Sequence, residues 1–185
     1  MRRNQELALK YSGNNRNRNA YLRAIAQIQK DKPAYDAYQK ALALAAKDTS
    51  QAKGLLAKAI RLQPREPLFH VTLGQMQLQD NETAKAEHSF SEAAKYNPEY
   101  YMGHLGLGLS KYQKRDLNGA QRSLNASMQI LPTEMATYYL GELALAKNDV
   151  QTAKQYFQQL AGGQSELAQK ARAVLTKLEP TSVSP

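Results

Sequence analysis

The 185-residue sequence has no cysteine and no tryptophan, and β-branched residues are sparse. Without cysteine there is no disulfide framework, no thiolate nucleophile and no thiolate-ligated zinc. The motifs of hydrolytic chemistry are missing too: no HExxH, no G-x-S-x-G, and no carboxylate pair in a distinctive context. The sequence therefore predicts a non-catalytic chain with no cofactor and no metal. No apolar run reaches the ~18 residues that a membrane span requires. The opening MRRNQELALKYSGNN is positively charged but has no apolar run behind it, so no export signal is legible there. The expectation is a cytoplasmic chain, or an internal piece of an exported protein whose signal lies upstream.

What the sequence does hold is Ala, Leu, Gln, Lys and Glu, the residues that cost least in a helix, and this composition predicts an all-α protein. Lys plus Arg outnumber Asp plus Glu by 25 to 16, for a net charge of +9. The excess is concentrated at one end, because residues 1–32 carry eight basic side chains against Glu6 and Asp31. That leader reads as a solvated basic flank, with contact to nucleic acid or an anionic membrane surface as the alternative. Within it, Tyr21, Leu22, Ile25 and Ile28 recur at helical spacing and predict an amphipathic helix over about 18–30. The preceding YSGNNRNRN predicts a loop.

Pro64, Pro98 and Pro132 stand 34 residues apart, at the ends of IRLQP, AKYNP and MQILP. Ala52, Ala86 and Ala120 share one repeat position; Leu56, Phe90 and Leu124 share another, four residues on. Leu73-Gly74 and Leu107-Gly108 coincide as well, and a unit one residue shorter supplies Leu140-Gly141, Ala153 and Phe157. This pattern resembles the tetratricopeptide repeat, in which a Leu-Gly pair precedes a small residue, a large apolar residue and a proline. The resemblance implies a right-handed α-α superhelix of four helical hairpins, over residues 33–66, 67–100, 101–133 and 134–162. Between the helices of each hairpin stand Asp48, Glu82, Asp116 and Asp149, placed to cap the second helix. Residues 163–179 read as a helix closing the array, capped by Ser165, with Lys170, Arg172 and Lys177 outward. PTSVSP, residues 180–185, reads as a disordered tail.

The repeat also explains part of the run YYMGHLGLGLSKYQ, whose glycines do not match the G-x-G-x-x-G of a dinucleotide loop. Gly74, Gly108 and Gly141 are expected where the two helices of a hairpin cross, facing the repeat alanine of the second helix. Gly103 and Gly106 have no counterpart in the repeat. They predict either a loosened helix or a shallow recess, and Gly103→Ala is expected to be neutral or mildly stabilising. His70 and His104 share a repeat position that is usually aromatic, so rings packed within the hairpin are expected rather than zinc ligands. His88 is expected to face outward.

In tetratricopeptide arrays the second, fifth, ninth, twelfth and thirteenth places of each unit line a concave groove. The resemblance assigns to it Leu68, Val71, Gln75, Leu78 and Gln79 from one unit. The next contributes Met102, Leu105, Leu109, Tyr112 and Gln113, and the last Met135, Tyr138, Glu142, Leu145 and Ala146. Members that clamp a chaperone's C-terminal carboxylate use Lys and Asn at the fifth and ninth places, and this sequence departs from that in all three units. Methionines and tyrosines interleaved with amides suit an extended apolar peptide or a partner helix. The alternative is that these side chains pack against neighbouring helices or the leader.

The wording of individual units resembles something narrower. AIRLQPREPLFHVTLGQ, NPEYYMGHLGLGLSKYQKRDLNGAQRSL and YYLGELALAKND are similar to the repeats that follow the catalytic domain in bacterial Ste24-like zinc metalloproteases of the cell envelope. That resemblance implies a periplasmic home and a substrate- or partner-binding role, with no catalytic residue carried over. The competing expectations are a free-standing adaptor in cytoplasmic or pilus assembly, and nucleic-acid binding through the leader.

Overall fold

The computed structural model describes residues 15–179, and the regular elements among them are all α-helices. The chain divides into two compact units, Met1–Pro64 and Arg65–Pro185. The division falls inside the predicted repeat region, after its first hairpin.

The first unit pairs α1 (Asn15–Leu44) with α2 (Thr49–Leu62). Where the sequence predicts a short helix followed by a separate hairpin at residue 33, α1 runs unbroken through Pro33. A proline inside a helix removes one backbone hydrogen bond and crowds the preceding turn. Here it stands on the exposed side, where water can take up the freed carbonyl, and the helix is supported on both sides of it. Gln27 donates to Asp31 at 2.9 Å, and Lys32 pairs with Asp36 at 2.6 Å, each one turn apart. Beyond the proline, Ala34, Ala37, Tyr38 and Ala41 form the buried stripe. In α2 the Asp48 carboxylate accepts from the Gln51 amide at 2.8 Å, and Ala52, Leu56 and Ala59 face inward at helical spacing. The predictions for residues 1–14, for the tail 180–185 and for the side chains of Tyr21, Leu22, Ile25 and Ile28 fall outside the described residues, and the loop predicted for YSGNNRNRN is corrected from Asn15 on, where α1 already begins.

The second unit holds three hairpins, α3 (Pro67–Gln79) with α4 (Thr83–Tyr96), α5 (Tyr101–Gln113) with α6 (Leu117–Ile130), and α7 (Glu134–Ala146) with α8 (Val150–Ala161), followed by α9 (Glu166–Leu178). Each hairpin turns through one left-handed residue at the same repeat place, Asn81, Arg115 and Asn148, with φ of 59°, 64° and 61°. Asp116 and Asp149 cap the helices that follow, accepting from Gly119 and Thr152. Glu82 does not cap: it makes no side-chain cap hydrogen bond, and its carboxylate meets Lys85 at 3.0 Å. The extra methylene over aspartate explains the difference, since short side chains are the ones that fold back onto the helix start.

First helices touch first helices down this unit (α3 with α5, α5 with α7, α7 with α9), and each second helix packs on the first helix of the next hairpin. The second helices are not packed on one another in this way. The side formed by α3, α5 and α7 is thus the inner, concave one. Phe90, Leu124 and Phe157, at one repeat place, are 0–1% exposed and centre the core.

The crossing glycines face those large residues rather than the repeat alanines. A Cβ on Gly74, Gly108 or Gly141 would come within 2.9 Å of Phe90, 2.7 Å of Leu124 or 2.8 Å of Phe157. The facing residue lies one turn beyond the alanine expected from sequence. Gly103 and Gly106 are packing glycines as well, against the previous hairpin. A Cβ on Gly103 would stand 2.9 Å from the Ala94 backbone nitrogen, and one on Gly106 would run into the Phe90 ring. The helix is therefore not loosened there, and the expected neutrality of Gly103→Ala is corrected.

The closing helix α9 is capped by Ser165, which accepts from the Ala168 amide at 3.1 Å, and it buries Ala168 and Ala171. Arg172, expected simply to face outward, instead bonds the carbonyls of Ala161 and Gly163 at 2.6 and 2.9 Å. It thereby satisfies acceptors at the end of α8.

Candidate partner-binding groove

On the concave side of the second unit lies an open channel of about 700 Å³. Its walls come from α3 through Gln75, Leu78 and Gln79, from α5 through Tyr101, Met102, Leu105, Gly106 and Leu109, and from α7 through Met135 and Tyr139. Phe90 and Thr133 complete the lining. The helical period brings these side chains together because residues three and four apart share a face, so Met102, Leu105 and Leu109 stand in one row. Met135 is 42% exposed at the mouth. The lining has no charged side chain, so what it can do chemically is bury apolar atoms and offer amides to a backbone.

Of the residues predicted for the groove, Gln75, Leu78, Gln79, Met102, Leu105, Leu109 and Met135 line this channel. Val71 does not reach the surface: it is 1% exposed and packed with Ala86, Phe90 and Ala93. Leu68 is half-buried near the start of α3, where its amide donates to Glu66 at 3.4 Å. The Gln113 side-chain oxygen accepts from the Thr83 hydroxyl at 3.0 Å, stitching two hairpins together. Leu145 packs on the Phe157 cluster, and Ala146 is exposed.

Tyr112, Tyr138 and Glu142 form a second cluster beside the channel. Tyr138 stands one turn before Glu142 on α7, and the charge of Glu142 bears on both phenols, that of Tyr112 from α5. Burial, reinforced by the Glu142 carboxylate one turn away, pushes the Tyr138 phenol up to about 12. Tyr112 is also raised, first by burial and then by the charge of Glu142. Tyr139 joins the two sites, its ring edge-on to Tyr112 and to Tyr138 at 5.7 Å in each case. Tyr138 is in turn edge-on to Phe157 at 5.5 Å.

Sequence reasoning missed Tyr101, Gly106 and Tyr139, none of which occupies a groove place of the repeat. A signal did exist: Gly106 and Tyr139 hold the same repeat place, absent side chain in one unit and large ring in the next. Phe90 fills the space that a Cβ on Gly106 would need, and Tyr139 meets the channel from the neighbouring first helix.

His70 and His104 pack against their surroundings, while His88 is exposed. His70 is buried, its ring 5.5 Å from that of Tyr96, and the His104 Nε2 lies 2.9 Å from the Pro98 carbonyl oxygen. Among the described residues no three His, Asp or Glu side chains are grouped to hold a metal ion, and no helix is long and apolar enough to cross a membrane.

Paired helices repeating about every 34 residues, glycine-tight crossings and a concave side built from the first helices are the geometry of the tetratricopeptide-repeat fold. The family description "Tetratricopeptide repeat" matches residues 72–126 directly. Among solved structures, MamA from Desulfovibrio magneticus RS-1, residues 41 to the end, superposes with a TM-score of 0.63 at 19% identity, over 97% of this chain and 95% of that one. YrrB, described as a tetratricopeptide-repeat protein with an unusual peptide-binding site, gives 0.64 at 18% identity over 84% and 82%. The first such domain of Spaghetti, bound to the HSP90 peptide SRMEEVD, gives 0.62 at 17% identity over 64% and 95%. At these identities the likeness is one of fold. No curated protein sequence matches the chain significantly.

Proposed function

We propose that this chain is a non-catalytic protein-interaction scaffold whose concave channel holds an apolar segment, extended or helical, of another protein. The observation that carries the reading is the uncharged, apolar lining of the 700 Å³ channel, open to solvent on the inner side of the repeats. Two of the fold relatives are described with peptides or peptide sites, which supports the same use of the surface. The ligand chemistry differs from that of an acidic C-terminal peptide, because the channel offers no cation to receive a carboxylate.

The test replaces Leu109 and Met135 by glutamine in the full chain and compares partner capture and peptide selection with wild type. Both side chains are at least partly exposed and neither belongs to a core cluster, so the helical signal and thermal midpoint are expected to stay unchanged. Affinity for selected apolar segments is expected to fall by about 2 kcal/mol, the scale of a hot-spot pair. Undiminished capture by the variant would reject the channel as the binding surface.

The similarity of particular units to repeats of Ste24-like envelope proteases supports a narrower setting, in which this chain serves as the partner-binding part of such a protease in the periplasm. Reading the gene upstream of Met1 tests it: an in-frame HExxH within a few hundred codons is expected, and a stop codon directly upstream leaves the free-standing adaptor.

A further inference from the structure

The inner helices carry almost no formal charge. Helix α3 has no Asp, Glu, Lys or Arg, and the one such residue of α5, Lys111, faces α4 beside Glu87 and His88 on the opposite side. Helix α7 supplies Glu134 and Glu142. In a chain of net charge +9, the concave helices thus offer acid and no base.

Glu142 differs from the glutamates that are held in ion pairs. Glu82, Glu87, Glu92 and Glu166 each meet a lysine within 3.0 Å. Glu142 instead stands one turn after Tyr138 on α7, its charge reaches the Tyr112 and Tyr138 phenols, and among the described residues no ion pair reaches it. Arg115, in the turn after α5, is the cation whose charge Tyr112 feels, and it is not paired with Glu142.

A cluster of three half-buried, edge-on tyrosine rings therefore adjoins one half-buried carboxylate that lacks a counter-ion. Ring faces attract cations, and a carboxylate has about four acceptor positions, of which two phenol hydroxyls could take no more than two. A planar guanidinium suits what remains, since it can stack on a ring and donate in parallel to a carboxylate.

We propose that Glu142, with Tyr112, Tyr138 and Tyr139, receives one arginine side chain of the segment held in the adjoining channel. The proposal rests on the groove reading, because Tyr139 belongs to both sites. It makes the preferred ligand an internal apolar stretch carrying arginine next to its apolar anchors, rather than a free C-terminus.

The experiment titrates the full chain with N-acetyl-arginine methylamide, followed by NMR, against the neutral isostere N-acetyl-citrulline methylamide at matched ionic strength. Saturable shifts at Tyr112, Tyr138, Tyr139 and Glu142 are expected with arginine and not with citrulline. Glu142→Gln is expected to weaken them about tenfold, the usual scale for losing hydrogen bonds to a charged group. The Tyr112→Phe/Tyr138→Phe variant keeps the rings and removes the hydroxyls that could compete for the carboxylate, so it should bind arginine at least as well as wild type. Equal response to citrulline, indifference to Glu142→Gln, or loss of binding in the phenylalanine variant each overturns the proposal. The Leu109→Gln/Met135→Gln variant separates the two readings. Retained arginine binding with retained partner capture removes the channel alone, and lost capture without any arginine response in wild type removes the arginine site alone.

Discussion

Ser127 takes the repeat place held by Ala59 and Ala93 in the two preceding units, yet its hydroxyl is fully buried and finds no hydrogen-bond partner among the described residues. A buried polar atom without a partner costs on the order of 1–3 kcal/mol, and serine is also the weaker helix former. Ser127→Ala is therefore expected to stabilise the fold by about 1 kcal/mol, read as a higher urea midpoint at unchanged slope. Tyr138 gives a second check at this scale. Its folded-state pKa of about 12 lies above the ordinary 10.0, so the neutral phenol is the favoured form. Its contribution to stability is complete below pH 10 and is lost as pH rises toward 12. Tyrosinate absorbance should accordingly show a late-titrating component. Glu142→Gln should move that component to lower pH, since it removes a neighbouring negative charge; a titration unchanged by the substitution would contradict the assigned contact.

At the level of helices, the repeat was readable because its interactions recur every 34 residues, so Pro64, Pro98 and Pro132 and the Leu-Gly pairs mark the same turns and crossings each time. What was not readable lies off that period. Pro33 looks like a boundary, but it stands on an exposed helical face, preceded by one i,i+4 pair and spanned by another, so α1 continues through it. Gly103 and Gly106 look like flexibility because the residues they touch, Ala94 and Phe90, belong to the previous hairpin. Part of the channel was legible for the periodic reason, since seven of its lining residues fall on groove places of the repeat. Tyr101 and Tyr139 were not, because they hold the first and sixth places of their units, which the repeat does not assign to the groove. The prediction here is that Gly106→Ala, and to a lesser degree Gly103→Ala, destabilises by about 1–3 kcal/mol through overpacking. Combining Gly106→Ala with Phe90→Leu should recover part of the loss in a double-mutant cycle, whereas strict additivity would place the two residues out of contact.

Across the second unit as a whole, that same phenylalanine ties three helices together. Its ring lies where a Cβ on Gly74 of its own hairpin or on Gly106 of the next would have to go, so α3, α4 and α5 share one side chain. In a chain of stacked units, cooperativity depends on how much of the stability resides in the seams rather than within each unit. A side chain claimed by both sides of a seam belongs to neither hairpin alone: opening either one leaves the ring half-solvated and the other hairpin with a hollow. The amides of α3 and α5 should then exchange with solvent at one common rate, as a single opening event, although different hairpins contribute them. Phe90→Ala should split that rate into two. Faster exchange at α3 alone in the wild type would mean that the seam does not couple the hairpins. The channel floor is built on this seam, so a segment seated there would meet two hairpins that open and close as one body.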